Sequence, residues 1–207
     1  RTDDVLPHFL LRFLAPESIS GVTVLAVPGE QDLVQYLYLP AVGRARQITG
    51  ENRAGYFMGS DFTFGDLQEE ELSDFDYYRM LDGSMDGEQV YQVMAAPANV
   101  DILVETGYAH RILYIEKENY LIRKVEFFAE GSPDPIKTLE AERFSTGDGP
   151  RRPGRLTMRN HERGTTTVMT LPGSAVNPDV PLERFAPASL QDWDEAEAAI
   201  LSAIEAL

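Results

Sequence analysis

The chain has 207 residues, 43% of them apolar, enough for one domain with a real core, or one with an appendage. Its 34 acidic against 18 basic residues leave a net charge of −16, a field that repels nucleic-acid phosphates and anionic membrane surfaces. Cysteine is absent, which removes disulfides, thiolate catalysis and Cys-type zinc sites, and no apolar run approaches the roughly 20 residues of a membrane span.

Taken in chain order, the pattern is mostly strand. Phe9 to Leu14 is a near-continuous apolar run stopped by Ala15-Pro16. Val22 to Val27 follows a Ser20-Gly21 turn, and Leu33 to Leu39, rich in Tyr and Leu, ends at Pro40. Three runs with short connections predict an antiparallel meander. Further strands are expected at Tyr77–Leu81, Val90–Ala95, Arg111–Glu116, Leu121–Phe128, Ile136–Phe144, Arg155–His161 and Thr165–Leu171. Lys117-Glu118-Asn119 and Arg163-Gly164 read as hairpin turns. A sheet of about ten strands must curl, close or split into two layers.

Helices are fewer. Asn99 to Tyr108 carries Val100, Leu103, Val104 and Tyr108 at helical spacing. Thr63-x-x-Asp66 before Leu67 is a capping signal for a short helix. Asp192 to Leu207 predicts an acidic amphipathic helix, so the expected organisation is a domain over 1–190 and a C-terminal helix over 191–207.

One stretch departs from ordinary loop chemistry. Between Asn52 and Leu67 lie Tyr56, Phe57, Met58, Phe62 and Phe64 among glycines and other turn residues. Loops normally run over the surface and are polar. A greasy loop is either buried as a plug in the core or is a lid over something greasy; with Leu67 these residues form the candidate lid. Asp61 is a candidate helix cap, and Gly59 and Gly65 candidate tight-turn positions.

Several strands are apolar on both faces. Val34, Tyr36 and Tyr38 oppose Leu33, Gln35, Leu37 and Leu39, and Phe9, Leu11 and Phe13 oppose Leu10, Arg12 and Leu14. Such a strand is covered on both sides, and in a curved sheet the second face can line a ligand cavity. Leu11, Phe13, Val24, Tyr36 and Tyr38 are candidate cavity residues in the first half. Tyr78, Met80, Tyr91 and Val93 are candidates further on. A one-residue register shift would invert any of these faces. Arg12, set in an apolar strand, either holds an acceptor such as a lipid carboxyl, a phosphate or lid carbonyls, or sits at an edge in an ion pair.

Leu11-Arg12-Phe13-Leu14-Ala15-Pro16, Ser20-Gly21-Val22, Tyr36-Leu37-Tyr38-Leu39-Pro40-Ala41 and Phe57 to Leu67 occur in that order. Gly107-Tyr108-Ala109-His110-Arg111 and Glu118 to Phe128 follow. This set, over roughly residues 9–190, resembles the bacterial outer-membrane lipoprotein-sorting-protein-like family, distant relatives of the periplasmic carrier LolA and its receptor LolB. The resemblance implies a mainly β fold with helices (α+β): a strongly curved antiparallel sheet, an unclosed half-barrel, with helices over its concave apolar face. It also implies an acyl-chain cavity, export to the periplasm, and linkage to lipid-exporting transporters of the resistance-nodulation-division type. Family members usually carry a helix and strands before the segment matching Phe9, so part of the native sheet is expected upstream of this sequence, as is a removed signal peptide. The acidic C-terminal helix is not part of the family pattern.

Catalysis has little support. His8, His110 and His161 are the only histidines, and no Gly-x-Ser-x-Gly, His-Glu-x-x-His or phosphate loop occurs. Asp74, Asp76, Asp82 and Asp86 lack calcium-loop spacing. No catalytic residue, metal ligand or cofactor is expected. The expected function is a non-enzymatic periplasmic carrier that sequesters the acyl chains of a lipid or lipoprotein. The alternatives are a ligand-free accessory subunit of such a transporter and a lipid hydrolase, for which no nucleophile–base pair stands out.

Overall fold

The computed structural model describes residues 8–29, 33–67, 70–145, 151–171 and 182–191. The protein is mainly β, every strand pair is antiparallel, and no sheet closes into a barrel among the described residues. It divides into two compact units, each with its own sheet.

The first unit holds a four-stranded meander: β1 (Phe9–Arg12), β2 (Thr23–Pro28), β3 (Leu33–Leu39) and β4 (Arg44–Ile48), in that order. Leu11 pairs with Val24 and Val24 with Leu37, so these share one face. Arg12, Thr23, Tyr38 and Ala45 lie across from one another on the other. Both faces are covered: Val24 is 0% exposed and its neighbour Leu25, facing oppositely, is also 0% exposed. Two 3-10 turns, Leu182–Phe185 and Pro187–Gln191, place Phe185 and the buried Leu190 against Leu25 and Tyr38, with Leu10, Val27, Tyr36 and Ala45 packed around them. The doubly apolar pattern thus marks a sheet whose strand β2 is buried on both sides.

A one-turn helix, α1 (Gly50–Arg53), precedes the second unit's β5 (Phe75–Arg79), β6 (Gly83–Met85), β7 (Glu88–Pro97), α2 (Val100–Thr106), β8 (His110–Glu116), β9 (Ile122–Phe128), β10 (Lys137–Phe144), β11 (Pro153–Asn160) and β12 (Thr165–Thr170). The sheet order is β12-β11-β10-β9-β8-β7-β5, with β6 also on β7. Helix α2 begins where the Asn99 side chain accepts the Ile102 N–H at 3.0 Å, and ends at Gly107, whose φ of 75° favours glycine.

The faces of this sheet differ. One carries Val93, Leu113, Val125, Leu139 and Met158 in a single cross-strand row. The opposite face carries ion pairs and polar contacts: Tyr114–Glu126, Lys124–Glu126 and Arg159–Glu140. That alternation belongs to an antiparallel sheet with one solvated face.

Most expected strands form, with shifted ends: the strand expected at Tyr77–Leu81 is Phe75–Arg79. Among the described residues, twelve strands form two separate sheets of four and eight, rather than one large sheet. Strands β4 and β6 are additional to the sequence reading. The helix expected over 192–207 lies outside the described residues.

Candidate functional site

Residues 55–64 build a small hairpin. Tyr56 and Thr63 bridge antiparallel, the Phe57 N–H donates to the Phe62 carbonyl at 2.8 Å, and the Phe64 N–H donates to the Gly55 carbonyl at 3.1 Å. The Ser60 N–H returns to the Phe57 carbonyl at 2.8 Å across Met58 and Gly59, whose φ values of 46° and 75° match a type I′ turn. Met58 therefore sits in the left-handed region that non-glycine residues rarely adopt. Phe57 and Phe62 are each 2% exposed, and the Phe57 ring meets Phe64 edge-on at 5.4 Å.

The expected capping pair forms. Thr63 N–H donates to Asp66 Oδ2 at 2.7 Å and Asp66 N–H to Thr63 Oγ1 at 3.1 Å, opening the 3-10 turn Gly65–Leu67. Asp61 caps nothing; it is used elsewhere. Its Oδ1 accepts from Thr165 Oγ1 and its Oδ2 from Thr167 Oγ1 at 2.8 Å, while its own N–H donates to Thr167 Oγ1 at 2.9 Å. The Arg163 guanidinium adds a bond to the Ser60 carbonyl at 3.1 Å and lies 3.6 Å from Asp61. The hairpin is thereby pinned to β12 and the turn before it.

A second anchor lies one row away. Lys137 and Asn160 are cross-strand partners on β10 and β11. Lys137 Nζ, its side chain only 3% exposed, donates to the Tyr108 hydroxyl at 3.0 Å and lies 3.7 Å from Asp66. Tyr108 in turn donates to Asp66 at 3.0 Å. The Tyr56 ring lies against both cations, 4.5 Å from Lys137 Nζ and 4.4 Å from the Arg163 guanidinium carbon, and its hydroxyl accepts from Asn160 Nδ2 at 2.8 Å. Burial pulls Lys137 below the ordinary lysine value, against the attraction of Asp66 and Asp61. Burial pushes the Tyr108 phenol well above its ordinary range, and the Asp66 carboxylate adds to the shift.

The end of α2 closes against the same segment. Arg53 pairs with Glu105 at 2.5 Å, and a Cβ on Gly65 would stand 3.3 Å from the Glu105 carbonyl, so glycine allows this approach. Beyond Tyr108 and Phe127, the apolar face continues as Val93, Leu113, Ile115, Leu139, Leu156 and Met169, all half-buried. Partly covered aliphatic side chains in adjoining rows offer surface to an apolar ligand.

The candidate lid residues separate by burial. Phe57, Phe62 and Leu67 are buried, Phe64 is half-buried, and Tyr56 and Met58 are each 42% exposed. The candidate cavity residues fall on different faces. Tyr91 and Val93 share the apolar face of the eight-stranded sheet, whereas Tyr78 and Met80 belong to the opposite face and are exposed. In the four-stranded sheet, Leu11, Phe13 and Val24 face one way, and Arg12, Tyr36 and Tyr38 the other. Arg12 donates to the Gly21 carbonyl at 3.4 Å, clasping the β1–β2 connection.

Lys137, Arg163, Asn160, Tyr108 and the Thr165/Thr167 pair are not among the site residues expected from the sequence. For Lys137 a signal existed: it lies in phase with Leu139 and Ala141, so a period of two places a cation on the apolar face.

Comparison with known proteins agrees with this architecture. Residues 7–192 match a family whose description reads "-like: Uncharacterized protein". No curated protein matches the sequence. Among solved structures, the chain is similar to a domain from Vibrio parahaemolyticus named for outer membrane lipoprotein sorting, at 25% identity and a TM-score of 0.79, over 89% of this chain and 77% of that one. A DUF1329 family protein from Desulfovibrio piger matches at 22% identity and a TM-score of 0.79, over 88% and 76%. A LolA superfamily protein from Nitrosomonas europaea matches at 20% identity and a TM-score of 0.60, over 86% and 76%, and these last two speak to fold alone. The chain belongs to the family whose model spans residues 7–192, and the motifs between Leu11 and Phe128 with the likeness to the Vibrio parahaemolyticus domain make that family LolA-like.

Proposed function

We propose that the protein is a non-enzymatic carrier that shields acyl chains of a lipid or lipoprotein on the apolar face of its eight-stranded sheet. The observation that carries this reading is the run of half-buried aliphatic side chains, Val93, Leu113, Ile115, Leu139, Leu156 and Met169, beside an apolar hairpin held by polar bonds. Each CH2 removed from water contributes about 0.8 kcal/mol, so a long chain binds such a face without a catalytic or covalent anchor. On this reading the sheet curves around its cargo and Tyr56, Phe57, Met58, Phe62, Phe64 and Leu67 belong to the lid segment. Tyr91 and Val93 line the bound chains.

The lipoprotein-sorting relatives support a periplasmic setting, with transfer to or from an envelope transport system as the wider role. No helix among the described residues is long and apolar enough to cross a membrane. Handover needs only a partner that holds the chains more tightly or favours the open hairpin.

The test is native mass spectrometry of protein purified from the periplasm. A stoichiometric adduct that releases acylated species supports the carrier and names its cargo. A clean mass, unchanged after incubation with lipids and acylated lipoprotein, overturns it in favour of a ligand-free accessory subunit.

A further inference from the structure

The hairpin and the turn that follows it supply both carboxylates of the polar cluster, and the sheet with its β11–β12 turn supplies both cations. Asp61 and Asp66 come from the 55–66 segment; Lys137 comes from β10 and Arg163 from the β11–β12 turn. Every other group the sheet and its flanking residues present to the segment here is able to donate: the Asn160 amide to Tyr56, the hydroxyls of Thr165 and Thr167 to Asp61, and the Tyr108 hydroxyl to Asp66. Register makes them neighbours, with Lys137 opposite Asn160, Asn160 opposite Thr165, and Thr167 two residues along. Lifting the whole 55–66 segment would leave two cations and several donors facing one side of the sheet with no carboxylate among those partners. Two cations and several donors uncovered together make a ready binding place for a replacement anion.

We infer that Lys137 and Arg163, with Asn160, Thr165 and Thr167, form an anion site masked by Asp61 and Asp66, and that it receives the oxyanion headgroup of the cargo when the hairpin opens. This rests on the carrier reading and narrows it: the cargo carries a phosphate or carboxylate next to its acyl chains. The hairpin carboxylates stand in for that headgroup while the site is empty of cargo. Exchange of one anion for another keeps both cations paired, which couples headgroup recognition to opening. The adjoining Val93–Leu113–Leu139 face then takes the chains. A charged, hydrogen-bonded oxyanion also explains how an acidic protein of net charge −16 would accept an anionic lipid: the positive charge is local and released only on opening.

The experiment compares binding of phosphatidylglycerol, uncharged diacylglycerol with the same acyl chains, and glycerol phosphate to the full chain by native mass spectrometry titration. The expected result is that phosphatidylglycerol binds at least about tenfold more tightly than diacylglycerol, about 1.4 kcal/mol, and that Arg163→Gln and Lys137→Met each shrink that ratio by weakening phosphatidylglycerol binding. Arg163 is 38% exposed, so Arg163→Gln keeps the test valid if the buried Lys137→Met fails to fold. Competition by glycerol phosphate against phosphatidylglycerol, lost in Arg163→Gln, supports an anion site that works without acyl chains. Equal binding of the two lipids, or a ratio unmoved by Arg163→Gln, overturns the anion site and leaves the carrier standing. Binding of neither lipid overturns both.

Discussion

The two sheets solve the same problem in different ways. In the four-stranded sheet, consecutive residues Thr23, Val24, Leu25 and Ala26 are all essentially inaccessible, so both faces are filled. In the eight-stranded sheet, one face is a lattice of ion pairs and the other is apolar but only half-covered over Val93, Leu113, Ile115, Leu139, Leu156 and Met169. The first is a packed core whose residues have no spare surface. The second keeps apolar area in reserve, covered at one end by the hairpin. Apolar residues in strands therefore carry two meanings here, and only burial separates them.

That contrast is easiest to break with charge. Val24→Asp places a carboxylate where nothing can solvate it, and should lower unfolding free energy by more than about 4 kcal/mol in chemical denaturation. Leu113→Asp, on the half-covered face, should lower it by only about 1 kcal/mol, yet reduce lipid uptake at least tenfold in native mass spectrometry. A Leu113→Asp protein that takes up lipid normally would remove the functional meaning of that face. Asp61→Ala strands the Thr165 and Thr167 hydroxyls and weakens the hairpin's hold, at about 1–3 kcal/mol by thermal or denaturant unfolding.

The solvated face offers finer tests. Burial, helped by the hydrogen bond to Glu126, raises the Tyr114 phenol above its ordinary 10.0. The unfolded chain then loses that proton first as alkali is added. Stability from this group is complete below pH 10 and is lost as pH rises from there towards the higher folded value. Tyr114→Phe should flatten that alkaline loss in pH-dependent unfolding, while Lys124, whose Nζ lies 3.9 Å from the ring centroid, keeps its pairing with Glu126. Arg159→Ala, which breaks the exposed pair with Glu140, should change stability by less than about 1 kcal/mol. A larger loss there would mean the ion-pair face is structural rather than merely solvated.

Much of the fold was legible because β2, β3, β8 and β9 are apolar runs bounded by turn residues. Strand β4 hid because only Ala45 and Ile48 of Arg44-Ala45-Arg46-Gln47-Ile48 turn inward, and β6 is Gly83-Ser84-Met85, with almost nothing to alternate. The hairpin was legible as an anomaly, since five large apolar residues in a loop need cover. Its anchoring was not. Asp61 looks like a cap in sequence, and its partners Thr165 and Thr167 lie more than 100 residues away. The cavity set mixed faces because Tyr36 and Leu37, or Tyr78 and Arg79, are equally bulky on both sides, so size gives no phase.

The bond from the Asp61 N–H to Thr167 Oγ1 also makes the hairpin self-reporting. The amides of Phe57 and Phe64 donate within the hairpin, whereas that of Asp61 donates to a side chain on β12. Hydrogen–deuterium exchange can therefore distinguish two motions at residue level. Rapid exchange at Asp61 with slow exchange at Phe57 and Phe64 is a rigid flap swinging off the sheet. Equal rates at all three amount to local melting. The first gives a gate that recloses as a unit, and the second a segment that must refold after every passage of cargo.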